Sequence, residues 1–158
     1  MNSNRPFKLI ITGSCEFDDY DTLKLATDWL LYEYEDVTDW INTGLEIVSG
    51  GALGADLLGE RYAMEHDYPI KRFPANWKMR GRNAAEIRNR QMAIYADVLI
   101  AFPPCSGHLI KTARDLNVNV RYGERLVEQA NSCGGNWEDR FQYILDTAHL
   151  YTEERTGS

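Results

Sequence analysis

The segment Ile47-Val48-Ser49-Gly50-Gly51-Ala52-Leu53-Gly54-Ala55-Asp56 constrains the fold more than any other, because an apolar run meets three glycines in five residues and passes straight into a helical pattern. A buried strand, a sharp turn and an immediate helix make half of a βαβ unit, which puts the strand in a parallel sheet. Glycine there lets the backbone reach positive φ and leaves main-chain N–H groups open to a close ligand. The helix start that follows, with unpaired N–H groups and the positive end of its dipole, suits an anion, so the turn reads as a phosphate seat.

The same alternation runs along the chain. Lys8–Thr12 is a β-branched run stopped at Gly13-Ser14. From Asp21 an apolar stripe at Leu23, Ala26, Leu30, Tyr34, Val37 and Ile41 predicts a long amphipathic helix, with a break near Asp36 and an end at Gly44. Strands are predicted at Glu46–Ser49, Ile70–Phe73, Asp97–Phe102 and Val118–Tyr122, and helices at Gly54–Glu65, Ala84–Ala96 and Leu109–Leu116. Pro74 and Pro103-Pro104 stop two of the strands by denying the ladder an N–H. Right-handed crossovers then leave a Rossmann-like three-layer α/β/α fold with a mainly parallel five-stranded sheet. Two further helices, Glu124–Asn131 and Trp137–Tyr151, follow. Residues 1–123 form the expected binding domain and 124–158 a helical extension of it, with disorder expected at Met1–Asn4 and Thr152–Ser158.

Composition narrows the partners. A chain of 158 residues accommodates one core. No run is long enough for a signal sequence or a membrane span, and three cysteines (Cys15, Cys105, Cys133) without a CxxC pair fit reduced thiols, so a cytoplasmic protein with no metal or cofactor is expected. A net charge of -7 argues against sequence-independent binding to duplex DNA or anionic membrane. The charge is uneven: Lys71–Arg90 carries seven basic residues against Glu86 alone, whereas Glu16–Asp39 carries nine acids against Lys24. An acidic chain that gathers its cations in one segment is expected to hold an anion there.

In an open parallel sheet ligands bind beyond the carboxyl ends of the strands. Four loops with glycine or small polar residues meet that description: Gly13-Ser14-Cys15, Ser49–Asp56, Pro74–Gly81 and Pro103–His108. In that setting Trp77 is able to stack on a base or to cap the core beside Pro74, and Asp56 to bind ribose, orient Ser49 or cap its helix. Cys15, Cys105 and His108 come together only if the first and fourth strands are neighbours, and their spacing is not that of a metal site.

Gly13-Ser14, SGGALGAD at Ser49–Asp56, Ala75-Asn76-Trp77-Lys78 with Gly81, Arg88-Asn89-Arg90-Gln91-Met92 and Tyr95–Phe102 occur in this order. Together they resemble the YspA-like branch of the SLOG superfamily, a Rossmann-like group that includes DprA and the LOG phosphoribohydrolases and has relatives in bacteria and phage genomes. The resemblance implies a nucleotide-type small-molecule ligand at Gly13, Ser14, Ser49, Gly50, Gly51, Gly54, Ala55, Asp56, Trp77, Arg88, Asn89, Met92, Ser106, Gly107 and His108. It also implies a homodimer, which the aromatics of the last two helices would help to cover. Arg88 matches an arginine that LOG enzymes count as catalytic, and Met92 the methionine four residues on. A structural role for Arg88, pairing with Asp56 or Asp97, is the alternative.

Two departures weigh against catalysis. Cys15 stands where many members carry arginine, and the loop Pro103–His108 replaces a Gly-Thr end, with either Ser106 or Gly107 in register. The LOG glutamate beyond this loop has no counterpart before Asp115, so hydrolysis would need Asp56, Glu86 or His108 instead. Binding or sensing of a nucleotide-derived phosphorylated ligand is therefore the leading expectation. A LOG-like phosphoribohydrolase comes second, and DprA-like binding of single-stranded nucleic acid, opposed by the acidic remainder, third.

Overall fold

The structure, a computed structural model, describes residues 5–104 and 107–156, the last eight of these as backbone alone. Five parallel strands alternate with helices: β1 Phe7–Gly13, α1 Tyr20–Thr38, α2 Trp40–Thr43, β2 Leu45–Ser49, α3 Ala55–Glu65, β3 Ile70–Arg72, α4 Trp77–Arg80, α5 Ala84–Tyr95, β4 Val98–Phe102, α6 Gly107–Asp115, β5 Asn119–Tyr122, α7 Gly123–Ser132 and α8 Trp137–Thr156. The sheet order is β3-β2-β1-β4-β5. β1 and β4 are thus neighbours, with Gly13 level with Phe102. Strand order reverses between them, and this is where an open α/β sheet offers its crevice.

Alternation along the strands builds the three layers. Leu9, Ile11, Ile47, Ile100 and Phe102 face a core made with Leu23, Leu30 and Tyr62 from α1 and α3, Leu126 from α7, and Trp137 and Phe141 from α8. Ile10, Val48, Leu99 and Ala101 face the other way, against Met92 and Ala93 of α5 and Leu109 and Ala113 of α6. The predicted Rossmann-like layering is the observed one.

Several elements differ from the sequence expectation. The long helix breaks at Asp39, whose φ of 54° lies in the left-handed region, three residues beyond the expected break. Val37, placed on the apolar stripe, is exposed, because the helix ends before that turn reaches the core. The polar loop before α5 holds a helical turn, α4, capped by the Asn76 carboxamide accepting from the Met79 amide at 3.2 Å. Residues 152–156, expected to be disordered, continue α8, whereas Met1–Asn4 and residues 157 and 158 lie outside the described residues. Two aromatics of α8 are covered by the chain itself, Trp137 packing edge-on against Trp29 at 5.1 Å and Phe141 lying near Trp40 at 6.3 Å, whereas Tyr143 is exposed.

Candidate functional site

The crevice begins where the loops after β1, β2 and β4 are tied together. The Ser14 amide donates to the Phe102 carbonyl at 3.2 Å, and the Ala55 amide donates to the Ser14 carbonyl at 3.2 Å. Gly54 makes this possible. Its φ is 81°, and a Cβ there would overlap the Ser14 carbonyl and the backbone of Cys15. The Ser14 hydroxyl accepts from the Glu16 amide, and Cys15 is exposed.

The glycine turn is braced from two sides. On one, the buried Ser49 hydroxyl donates to Glu60 Oε2 at 2.7 Å and accepts the Gly51 amide at 3.0 Å. Glu60, only 5% exposed, accepts from Arg72 Nε and Nη2 at 3.1 and 2.7 Å through its other oxygen. Burial pushes the Glu60 carboxyl up, but the Arg72 and Ser49 bonds outweigh it, and the group sits below its ordinary value. On the other side Asp56, also 5% exposed, accepts the Ala52 amide at 3.4 Å, with further bonds from Gly50 N–H and the Thr12 hydroxyl. Burial still dominates there and holds the Asp56 carboxyl above its ordinary value.

Ser49 is therefore oriented by Glu60, eleven residues on, and Asp56 gathers the amides of the turn instead. Of Gly50, Gly51 and Gly54, read from the sequence as a phosphate seat, the first two have N–H groups bonded to the chain's own acceptors, as does the neighbouring Ala52. What faces the turn from outside is Arg88. Its Nη1 donates to the Gly50 carbonyl at 2.8 Å, and a Cβ on residue 50 would stand 2.7 Å from that nitrogen. Its charge opposes the upward shift of Asp56. Asp97, the other suggested partner, lies before β4 at the far end of the sheet, paired with Arg5 and accepting the Lys8 amide.

From Arg88 a hydrogen-bonded chain runs sideways. Arg88 Nε donates to Asn89 Oδ1 at 3.0 Å, and Asn89 Nδ2 meets His108 Nδ1 at 3.2 Å. A guanidinium donates only, so Oδ1 must face it and Nδ2 must donate onward. His108 Nδ1 is then an acceptor, and the neutral ring carries its proton on Nε2. Met92 shares the Arg88 stripe by spacing but is buried in the core under the sheet, as Ala55 is on the opposite face.

Two cavities flank the first half of α5. One, of about 230 Å³, is lined by Pro74, Asn76, Arg80, Ala84, Ile87, Arg88 and Gln91. The second, of about 350 Å³, lies against α6 and is lined by Asn83, Glu86, Ile87, Arg90, His108 and Thr112. Ile87 borders both. Trp77 is 60% exposed at the start of α4, so it does not cap the core. Gly107 and His108 are exposed in the first turn of α6, whereas Cys105 and Ser106 fall outside the described residues. Asp115, the first carboxylate after the fourth strand, pairs with Lys111 at 2.8 Å.

Sequence reasoning had no means of nominating Arg80, Asn76, Gln91 or Arg90 singly, although the cationic window contains both arginines. Glu60 and Thr12 are supporting groups without any local signal. Among the described residues no three His, Cys, Asp or Glu side chains are grouped to hold a metal ion, and no helix is long and apolar enough to cross a membrane.

Residues 7–79 match the model of YAcAr, the YspA, cpYpsA-related SLOG family. That bears out the family resemblance read from the motifs. The fold is similar to that of DNA processing protein A (DprA) from Streptococcus pneumoniae, with 14% identity and a TM-score of 0.53 over 80% of this chain. It is similar also to DNA processing protein A from Helicobacter pylori, described for its single-stranded DNA binding mode, with 18% identity and a TM-score of 0.50 over 91% of this chain. The chain spans 57% of the first of these and 82% of the second. No curated protein matches the sequence.

Proposed function

We propose that this chain binds a nucleotide or nucleotide-derived ligand at the crevice, with the phosphoryl group held between Arg80 and Arg88. The observation that carries the reading is the 230 Å³ cavity, which has two guanidiniums, the Asn76 and Gln91 carboxamides and no carboxylate among its described lining residues. Guanidinium forks match phosphoryl oxygens in geometry as well as charge. The SLOG match over residues 7–79 supports a ligand of this class. The braced glycine turn then acts as scaffold: it fixes the Gly50 carbonyl that aims Arg88, and the phosphate is bound beside the turn.

Titration calorimetry with ribose 5-phosphate and nucleoside monophosphates tests the reading. Binding that is lost in Arg88→Ala and weakened in Arg80→Ala supports it, and silence across the panel sinks it. Free base released from a bound nucleotide would extend binding to N-glycosidic hydrolysis. A second reading, single-stranded nucleic acid, is favoured by exposed Trp77 beside Lys78, Arg80, Arg82 and Arg90, for which no ion pair is found among the described residues. Salt-sensitive retention of an oligonucleotide, reduced in Trp77→Ala, would place it first.

A further inference from the structure

The 350 Å³ cavity on the α6 side of α5 has a different chemistry from its neighbour. It combines one carboxylate, Glu86, with the donors Arg90 and His108 and with the neutral amide and hydroxyl of Asn83 and Thr112, on a wall that includes the apolar Ile87. Glu86 and Arg90 are one helical turn apart yet make no ion pair with each other among the described residues, so both keep their bonding capacity for something else. His108 presents Nε2–H, since the Arg88–Asn89 chain fixes Nδ1 as the acceptor. A planar ring with a donor edge on one side and an acceptor edge on the other would satisfy all three.

We propose that this cavity selects a guanine base, whose N1–H and N2–H groups meet the Glu86 carboxylate while O6 and N7 accept from Arg90 and His108. The proposal rests on the phosphate reading above, with Ile87 as the shared wall between phosphate and base. Adenine is rejected by the same groups. It has no hydrogen on N1, so a carboxylate would face a lone pair there, and its N6 amine would face the donors. Hypoxanthine keeps N1–H and O6 but lacks the N2 amine, which places it between the two. Pyrimidines leave one edge of the site unpaired.

Calorimetry on the full chain with GMP, IMP, AMP and ribose 5-phosphate, repeated on Glu86→Gln, tests this. The expected order is GMP, then IMP, then AMP, with GMP about tenfold or more tighter than AMP, the size of a lost charge-assisted pair. In Glu86→Gln most of that preference disappears, ribose 5-phosphate binds as before, and an unchanged melting temperature shows the fold intact. Nucleotides that bind without preference for GMP, or a preference that survives Glu86→Gln, overturn the guanine assignment and leave the phosphate site standing. Failure of ribose 5-phosphate and every nucleotide to bind overturns both.

Discussion

The β2–α3 turn and the α4–α5 segment meet where Arg88 of α5 donates to the Gly50 carbonyl, and they are built in opposite ways. In the turn the buried polar side chains are consumed internally: Ser49 by Glu60 and Gly51, Asp56 by the amides of the turn, Glu60 by Arg72. Across the opening Lys78, Arg80, Arg82 and Arg90 stand exposed, Arg80 and Arg90 each lining one of the two cavities. A region whose hydrogen bonds are already made provides rigidity, and one that keeps its donors free provides recognition. The glycine motif, the loudest signal in the sequence, belongs to the first kind.

That contrast can be broken most sharply at Gly54. Its positive φ and the overlap any Cβ would have with Ser14 make Gly54→Ala the costliest change here, about 3 kcal/mol or more from strain and overpacking together. A urea midpoint near that of the unaltered chain would show that the loops are not locked as described. Next comes Glu60→Ala, which strands the buried Ser49 hydroxyl and is expected to cost about 2 kcal/mol, discounted because Arg72 is largely exposed. Removing Arg88 or Arg80 should do the reverse. Each variant is expected to keep its stability within about 1 kcal/mol and to lose ligand affinity by tenfold or more, read by calorimetry.

The two buried carboxylates sharpen the comparison through pH. Glu60 lies below its ordinary value of 4.5 in the fold, so its stabilisation is full above that value and fades as pH falls through the folded value. Asp56, raised by burial, has the opposite sign: its ionised form costs stability, and protonation relieves that cost as pH falls through its raised value. The stability gap between the unaltered chain and Glu60→Gln should therefore shrink on acidification below about pH 4.5 in thermal melts. A gap that widens would mean Glu60 is not held ionised by Arg72. Smallest of all is Trp77→Ala, expected to change stability by no more than about 0.5 kcal/mol because the ring is exposed, while weakening any stacked ligand.

Much of the fold is legible along the chain because period and punctuation are local. Leu9 and Ile10 alternate across the sheet, Leu23 to Leu30 follow a helical stripe, and Pro103 ends a strand. α4 escaped because a single turn held by one Asn76 cap leaves no periodicity to count. The break at Asp39 was misplaced by three residues because left-handed backbone at an aspartate depends on how Trp40 must enter the core. In the site, Arg88 was found through a motif, whereas Ser49, Glu60 and Arg72 meet across eleven and twelve residues that no spacing rule connects.

The sequence by itself determined the parallel sheet, the crevice at its carboxyl edge and the concentration of cations beside it, since these follow from hydrophobic period, turn chemistry and charge counted along the chain. Only the tertiary structure decided which polar groups are spent and which are free. Donors and acceptors choose partners by distance in space, and so amides of the glycine turn went to Ser49 and Asp56 and two donors of Arg88 to Gly50 and Asn89, leaving the exposed guanidiniums of Arg80 and Arg90 on the facing α4–α5 segment.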